Sequence, residues 1–154
     1  MLECVDDELL STPVMSFYGS TLGGHLRHCI EHYESFITGL VDGRVDYDKR
    51  SREKSVERQT KSAREKLLQL VGSMEVLKRS DADEEVLVKM DCGGNECVWQ
   101  KSTVGRELQF LVSHTVHHFA MMKGLCSALN VRLPETFGVA PSTLRHEAKL
   151  AKSG

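Results

Sequence analysis

Two stretches of this chain repeat apolar residues every three or four positions, and each of them also carries a cluster of histidines. Leu22, Leu26, Cys29, Tyr33, Phe36, Ile37 and Leu40 form the first stripe. Leu108, Leu111, Val112, Thr115, Phe119, Met122 and Cys126 form the second. This spacing marks amphipathic α-helix rather than strand. Two long helices must bury their stripes against further elements, which confines the chain to mostly α-helical packing.

The boundaries follow from local signals. Ser20 or Thr21 is an N-cap for the first helix, and Asp42-Gly43 a stop. The second long stripe spans about 103–129. Between them, residues 44–66 are dense in charge, and 52–77 read as another long helix with apolar residues at Leu67, Leu68, Leu70, Val71 and Met74. The basic excess there reads as a solvated helix face laced with i,i+4 pairs. Residues 86–90 and 97–101 flank Gly93-Gly94-Asn95, a β-hairpin signal. Leu9 and Leu10 close a short helix before Ser11-Thr12-Pro13, and another short helix follows Pro141-Ser142-Thr143 in the tail.

Composition removes several function classes. The 154 residues suit one domain over 1–154. With 20 Lys+Arg against 22 Asp+Glu, the net charge of −2 gives no general reason to bind nucleic acid or an anionic membrane. No apolar run approaches the roughly 18 residues of a membrane span. The acidic start, Met1 to Glu8, resembles neither a secretory signal nor a transit peptide. The five cysteines are scattered and odd in number, as in reduced thiols of a cytoplasmic protein. Cys92-x4-Cys97 offers half a zinc site, but no second cysteine pair completes it.

The histidines carry the chemistry. Six of the seven fall in two groups: His25, His28 and His32, then His114, His117 and His118. At about 100° per residue, His114 and His118 stack one turn apart beside the apolar stripe, while His117 lies roughly opposite it. An i,i+4 histidine pair reaches one small cation, and a third imidazole from another helix would complete an open three-histidine site. Periodicity leaves His28 and His32 almost tied as that third ligand, with His25 as a core histidine. Three imidazoles suit Zn, Ni, Fe or Cu.

Ser20-Thr21-Leu22-Gly23-Gly24-His25-Leu26-Arg27-His28 and the later Ser113-His114-Thr115-Val116-His117-His118 resemble the DinB/YfiT-like superfamily. Asp46-Tyr47-Asp48-Lys49-Arg50 and Phe137-Gly138-Val139-Ala140-Pro141-Ser142-Thr143 extend the likeness over nearly the whole chain. The resemblance implies an up-down-up-down four-helix bundle, here with a small β-hairpin insertion, holding a divalent metal ion on His28, His114 and His118. Only about 18 residues, broken at Pro13, precede the Thr21 helix. The family's first helix is therefore expected to be short or incomplete, and a homodimer is the simplest cover for the gap.

The resemblance also implies a function. Superfamily members are often metal-dependent thiol transferases or isomerases, so the expectation is a metal-dependent thiol S-transferase or hydrolase acting on a small molecule, with a small-molecule thiol as substrate. The alternative is a non-catalytic, metal-stabilised bundle that acts through dimerisation or partner binding. Tyr47, Asp48, Arg50 and Glu107 are candidate pocket residues, with Glu107 behind the ligands. No Glu sits between His114 and His118 as in H-E-x-x-H, which argues against a zincin-type protease. His32 is the candidate for a fourth ligand that would close the site.

Overall fold

Thr21 starts the first long helix: its hydroxyl accepts the backbone N–H of Gly24 at 2.9 Å, filling one of the donors a helix start leaves open. The computed structural model describes residues 1–94 and 97–152. Among them, the chain forms α1 (Asp7–Ser11), α2 (Leu22–Leu40), β1 (Arg44–Asp46), α3 (Lys54–Arg58), α4 (Thr60–Ser73), β2 (Glu85–Lys89), β3 (Gln100–Thr103), α5 (Val104–Ala128) and α6 (Pro141–Leu150). The molecule is mostly helical with one small sheet, as the stripes require. The short opening helix, the Thr21 cap, the start of the second long helix near Thr103 and the tail helix stand close to where the sequence puts them.

Two expectations change. The helix expected over 52–77 is interrupted at Gln59, whose backbone is extended at φ −130° and ψ 116°. The break lets Val56 and Ala63, on either side of it, both reach the core. It is fixed by Asp7 of α1, whose carboxylate accepts both the backbone N–H and the hydroxyl of Thr60 at 2.7 Å. Beyond α4 the chain tightens into a 3-10 turn over Met74–Arg79.

The hairpin is real but shifted. β2 and β3 pair antiparallel, Val86 opposite Ser102, so residues 97–99 lie outside the ladder. Trp99 instead sits beneath the cations of Arg44 and Lys89, 5.0 and 5.6 Å from its ring centre. The expected turn residue Asn95 lies outside the described residues. A third strand, β1, joins β2 in parallel, with Val45 opposite Val88. The basic residues of 44–66 also do more than line a helix face. Lys66 pairs with Glu34 and Glu53, Arg64 pairs with Glu3, and Glu57 receives Arg27 of α2. Among the described residues of this stretch, the exposed Lys61–Glu65 contact at 4.0 Å alone has the expected i,i+4 form.

α2 is the spine. Gly23 lets α3 cross it so closely that a Cβ would stand 2.0 Å from the Glu57 carbonyl oxygen, and Gly39 lets β1 do the same near its other end. Apolar packing forms two clusters. One gathers Leu10, Leu22, Leu26, Ile30, Val56, Met122 and Leu125; the other gathers Phe36, Val45, Tyr47, Val86, Val104 and Leu111. Along α2 the first cluster precedes the second, and along α5 the order reverses, so these two helices run antiparallel. His32 on α2, and His114 and His118 on α5, occupy the levels between the clusters, and His28 lies just inside the first, between Leu26 and Ile30.

Met1, Leu2 and Val5 pack only partly against the first cluster. An apolar cavity of about 590 Å³ opens there, walled by α2, α4 and α5 and including Leu26, Ile30, Leu67, Met74 and Met122. Leu68 and Val71 of α4 are exposed.

Candidate metal centre

The antiparallel crossing of α2 and α5 brings His28, His114 and His118 together. One ring nitrogen from each lies within 4.8 Å of the other two. His28 Nε2 is 3.2 Å from His114 Nε2, and His118 Nε2 is 3.1 Å from the same atom. Two nitrogens bound to one tetrahedral cation at about 2.05 Å would stand ~3.3 Å apart, so these separations match a shared ion. The three rings stand 4.5–5.0 Å apart by centroid. Three nitrogens facing one point, each with one lone pair or one proton, are a donor set that could hold a metal ion.

All three imidazoles are held neutral. Burial, reinforced by the neighbouring histidines and Arg50, pushes His28 down to about 3. Burial and the same crowding push His114 and His118 down to about 4. Near neutral pH no proton therefore has to be expelled from an imidazolium before a nitrogen can act as a ligand.

The neighbours divide into supporters and an opponent. His25 Nδ1 lies 2.8 Å from His118 Nδ1. If His118 offers Nε2 to a cation, its Nδ1 carries the proton and donates it to His25, the arrangement that orients ligating histidines. His25 Nε2 is buried without a partner. The expectation of a core histidine at this position missed that role. The signal was present in the His25-x2-His28 spacing, which puts His25 almost one turn below His28 on α2.

Arg50 is the opponent. Its Nη1 donates to His28 Nδ1 at 2.7 Å. A guanidinium only donates, so Nδ1 is bare and the neutral ring carries its proton on Nε2, the atom facing His114. A cation on that nitrogen requires the proton to move to Nδ1, and Arg50 must then withdraw.

His32 does not join the three. Its Nδ1 donates to the backbone carbonyl of His28 at 2.8 Å, and its ring stacks on Tyr47 at 5.5 Å. It is buried and stands 4.3 Å by centroid from both His28 and His114, so it packs the centre from one side. His117 is exposed, edge-on to His118, as the helical wheel predicts. Phe110 stacks on His114 at 5.5 Å.

Tyr47, Asp48 and Arg50 line a cleft of about 800 Å³ that reaches His28, His32 and His114. Glu107 stands one step behind it. Fully buried, it accepts the Tyr47 hydroxyl at 2.8 Å, Ser102 at 2.6 Å and Arg106 at 3.2 Å. These donors satisfy a carboxylate that would be costly to bury bare, and they fix the tyrosine on which His32 stacks. Burial and this carboxylate hold the Tyr47 phenol well above its usual range. All five cysteines are free; Cys92 and Cys97 are exposed and are not part of the three-histidine group. Among the described residues no helix is long and apolar enough to cross a membrane.

No family model matches this chain, and no solved structure matches it. Among curated proteins, FK506-binding protein 5 of Rhizopus delemar is 31% identical over 107 residues, covering 68% of this chain and 28% of that protein. The chain thus spans little more than a quarter of the length of that relative.

Proposed function

We propose that this chain is a DinB/YfiT-like divalent-metal protein whose helices form that family's bundle, with His28, His114 and His118 as the ligands. One observation carries the reading: three neutral imidazole nitrogens from two antiparallel helices converge at separations suited to a single cation. When bound, such an ion favours a thiolate over a thiol, or lowers the pKa of a water. The protein then acts as a metal-dependent transferase or hydrolase on a small molecule, with a thiol as one substrate. His25 orients His118, Phe110 and His32 pack the ligand rings, and the cleft past Tyr47 and Asp48 admits the substrate. Zinc, nickel and iron all suit the ligand type.

A second reading is a non-catalytic, metal-stabilised module in a homodimer or larger assembly. The apolar cavity beside Leu68 and Val71 supports it, because a neighbouring surface would cover these side chains. The FK506 binding in the name of the Rhizopus protein belongs to that protein, of which the match takes in 28%.

Elemental analysis of protein purified without a histidine tag tests the metal. The parent and His117→Ala should carry one ion per chain, and His114→Ala should carry none. Equal loss in both variants would refute the ligand assignment. Cobalt substitution then separates the two readings. A sulfur-to-cobalt charge-transfer band on adding a small thiol supports the transferase, and a silent spectrum supports the structural module.

A further inference from the structure

The cleft that reaches His28 and His114 holds two guanidinium groups that no carboxylate of the described residues pairs with directly. Arg50 and Arg52 both line it. Among the described residues neither makes an ion pair, whereas Lys54, Arg64 and Lys66 nearby do. Arg50 spends one donor on a neutral imidazole nitrogen, and its Nε is buried with no acceptor at all. A half-buried guanidinium without a carboxylate is costly unless an anion arrives. Asp48 and Asp91 line the same cleft, yet neither comes within ion-pair distance of either arginine. Lys89 is already committed to Asp46 at 2.8 Å.

Arg52 adds an independent sign. Its φ is +52°, a left-handed conformation uncommon for a side chain of this size. The strained backbone holds an exposed, unpaired guanidinium at the rim. Local strain of this kind persists where the surrounding structure imposes it, often at ligand clamps.

We propose that Arg50 and Arg52 form an oxyanion clamp, so that the cleft takes a small molecule bearing a carboxylate or phosphate. Arg50 grips it near the floor and Arg52 at the mouth. This deepens the metal-centre reading, and rests on it only for what lies at the floor of the cleft. The planar fork of arginine suits both oxyanions through paired N–H donors. The clamp also gives Arg50 somewhere to go: a guanidinium displaced from His28 meets the ligand's charge instead of being left bare.

The test uses full-length protein stripped with a chelator, so that its outcome does not depend on metal loading. Inorganic phosphate and succinate are titrated separately by calorimetry at low ionic strength. Saturable binding of either is expected, and which one binds identifies the oxyanion. Arg50→Gln and Arg52→Gln should each weaken binding about tenfold, the loss of one charged hydrogen-bonding partner. Lys101→Gln, on an exposed lysine paired with Glu85 outside the cleft, should bind as the parent does. Should Arg50→Gln fail to fold, Arg50→Lys keeps the charge without the fork and should still weaken binding. Absence of saturation by both anions, or parent-like affinity in the arginine variants, overturns the clamp.

Discussion

Every ring nitrogen in this centre has a direction, and the directions decide which side chains matter. His25 gives the clearest case. Its Nδ1 lies 2.8 Å from His118 Nδ1 and accepts from it once His118 offers Nε2 to a cation, and it makes no hydrogen bond to His28 or His114. Removing it leaves His118 in place but free to rotate or to change tautomer. His25→Ala is therefore expected to keep metal stoichiometry at saturation while weakening metal affinity about 10-fold to 100-fold. Competition with a chromophoric chelator measures this, and an unchanged affinity would reduce His25 to packing. The pairing of His114 with His118 was legible in the sequence because i,i+4 spacing fixes it within one helix. The choice of His28 over His32 was not legible in the spacing, since they lie one turn apart on α2; the family resemblance alone pointed to His28. What separates them is partly local and partly tertiary: the His28 carbonyl, one turn back on the same helix, captures the His32 Nδ1 proton, and Tyr47 captures the His32 ring. Arg50 was legible as a pocket residue, but its hold on His28 depends on a loop path that no periodicity encodes.

Elements obey a similar division. α2 and α5 could be read because each is long and keeps one stripe. β1 could not, since a three-residue strand with a single buried side chain, Val45, leaves almost no pattern. The break at Gln59 was equally hidden, because nothing in its local propensity ends a helix; Asp7, more than fifty positions earlier, does so by binding Thr60. Helical glycines show how far position outweighs propensity. Ala is the better helix former by about 0.8–1 kcal/mol. At Gly72 of α4 a Cβ would meet nothing within 4 Å, so Gly72→Ala should stabilise the protein by roughly 0.5–1 kcal/mol. At Gly23 the same atom would strike the backbone of α3 at 2.0 Å. Gly23→Ala should cost about 1–3 kcal/mol in net stability, as the two elements are forced apart. Urea unfolding of both variants checks the opposite signs; a stabilised Gly23→Ala protein would show that α3 is not held against α2.

For the molecule in its entirety, the buried histidines tie stability to acidity. Their folded-state pKa values, about 3 for His28 and about 4 for His114 and His118, lie below the unfolded value near 6.5. Above about pH 6.5 neither state takes up protons at these sites, and they leave stability unchanged. Below it the unfolded chain binds protons that the folded chain refuses, so stability falls as pH drops from about 6.5 towards 4. The metal-free protein should therefore lose thermal stability across that window, with a shallower slope for the double variant His114→Ala/His118→Ala. Circular dichroism melts at stepped pH provide the check, and parallel slopes would contradict the assignment.

The same histidines stand where the two apolar clusters meet, at matching levels of the two helices that pass through both. Tyr33 and Ile37 of α2 pack against both clusters, and Thr115 of α5 donates to the Tyr33 hydroxyl at 3.3 Å, so the histidines add a polar joint to a continuous apolar one. A cation seated there would act as a rivet, raising the free energy of any local opening that parts His28 on α2 from His114 and His118 on α5.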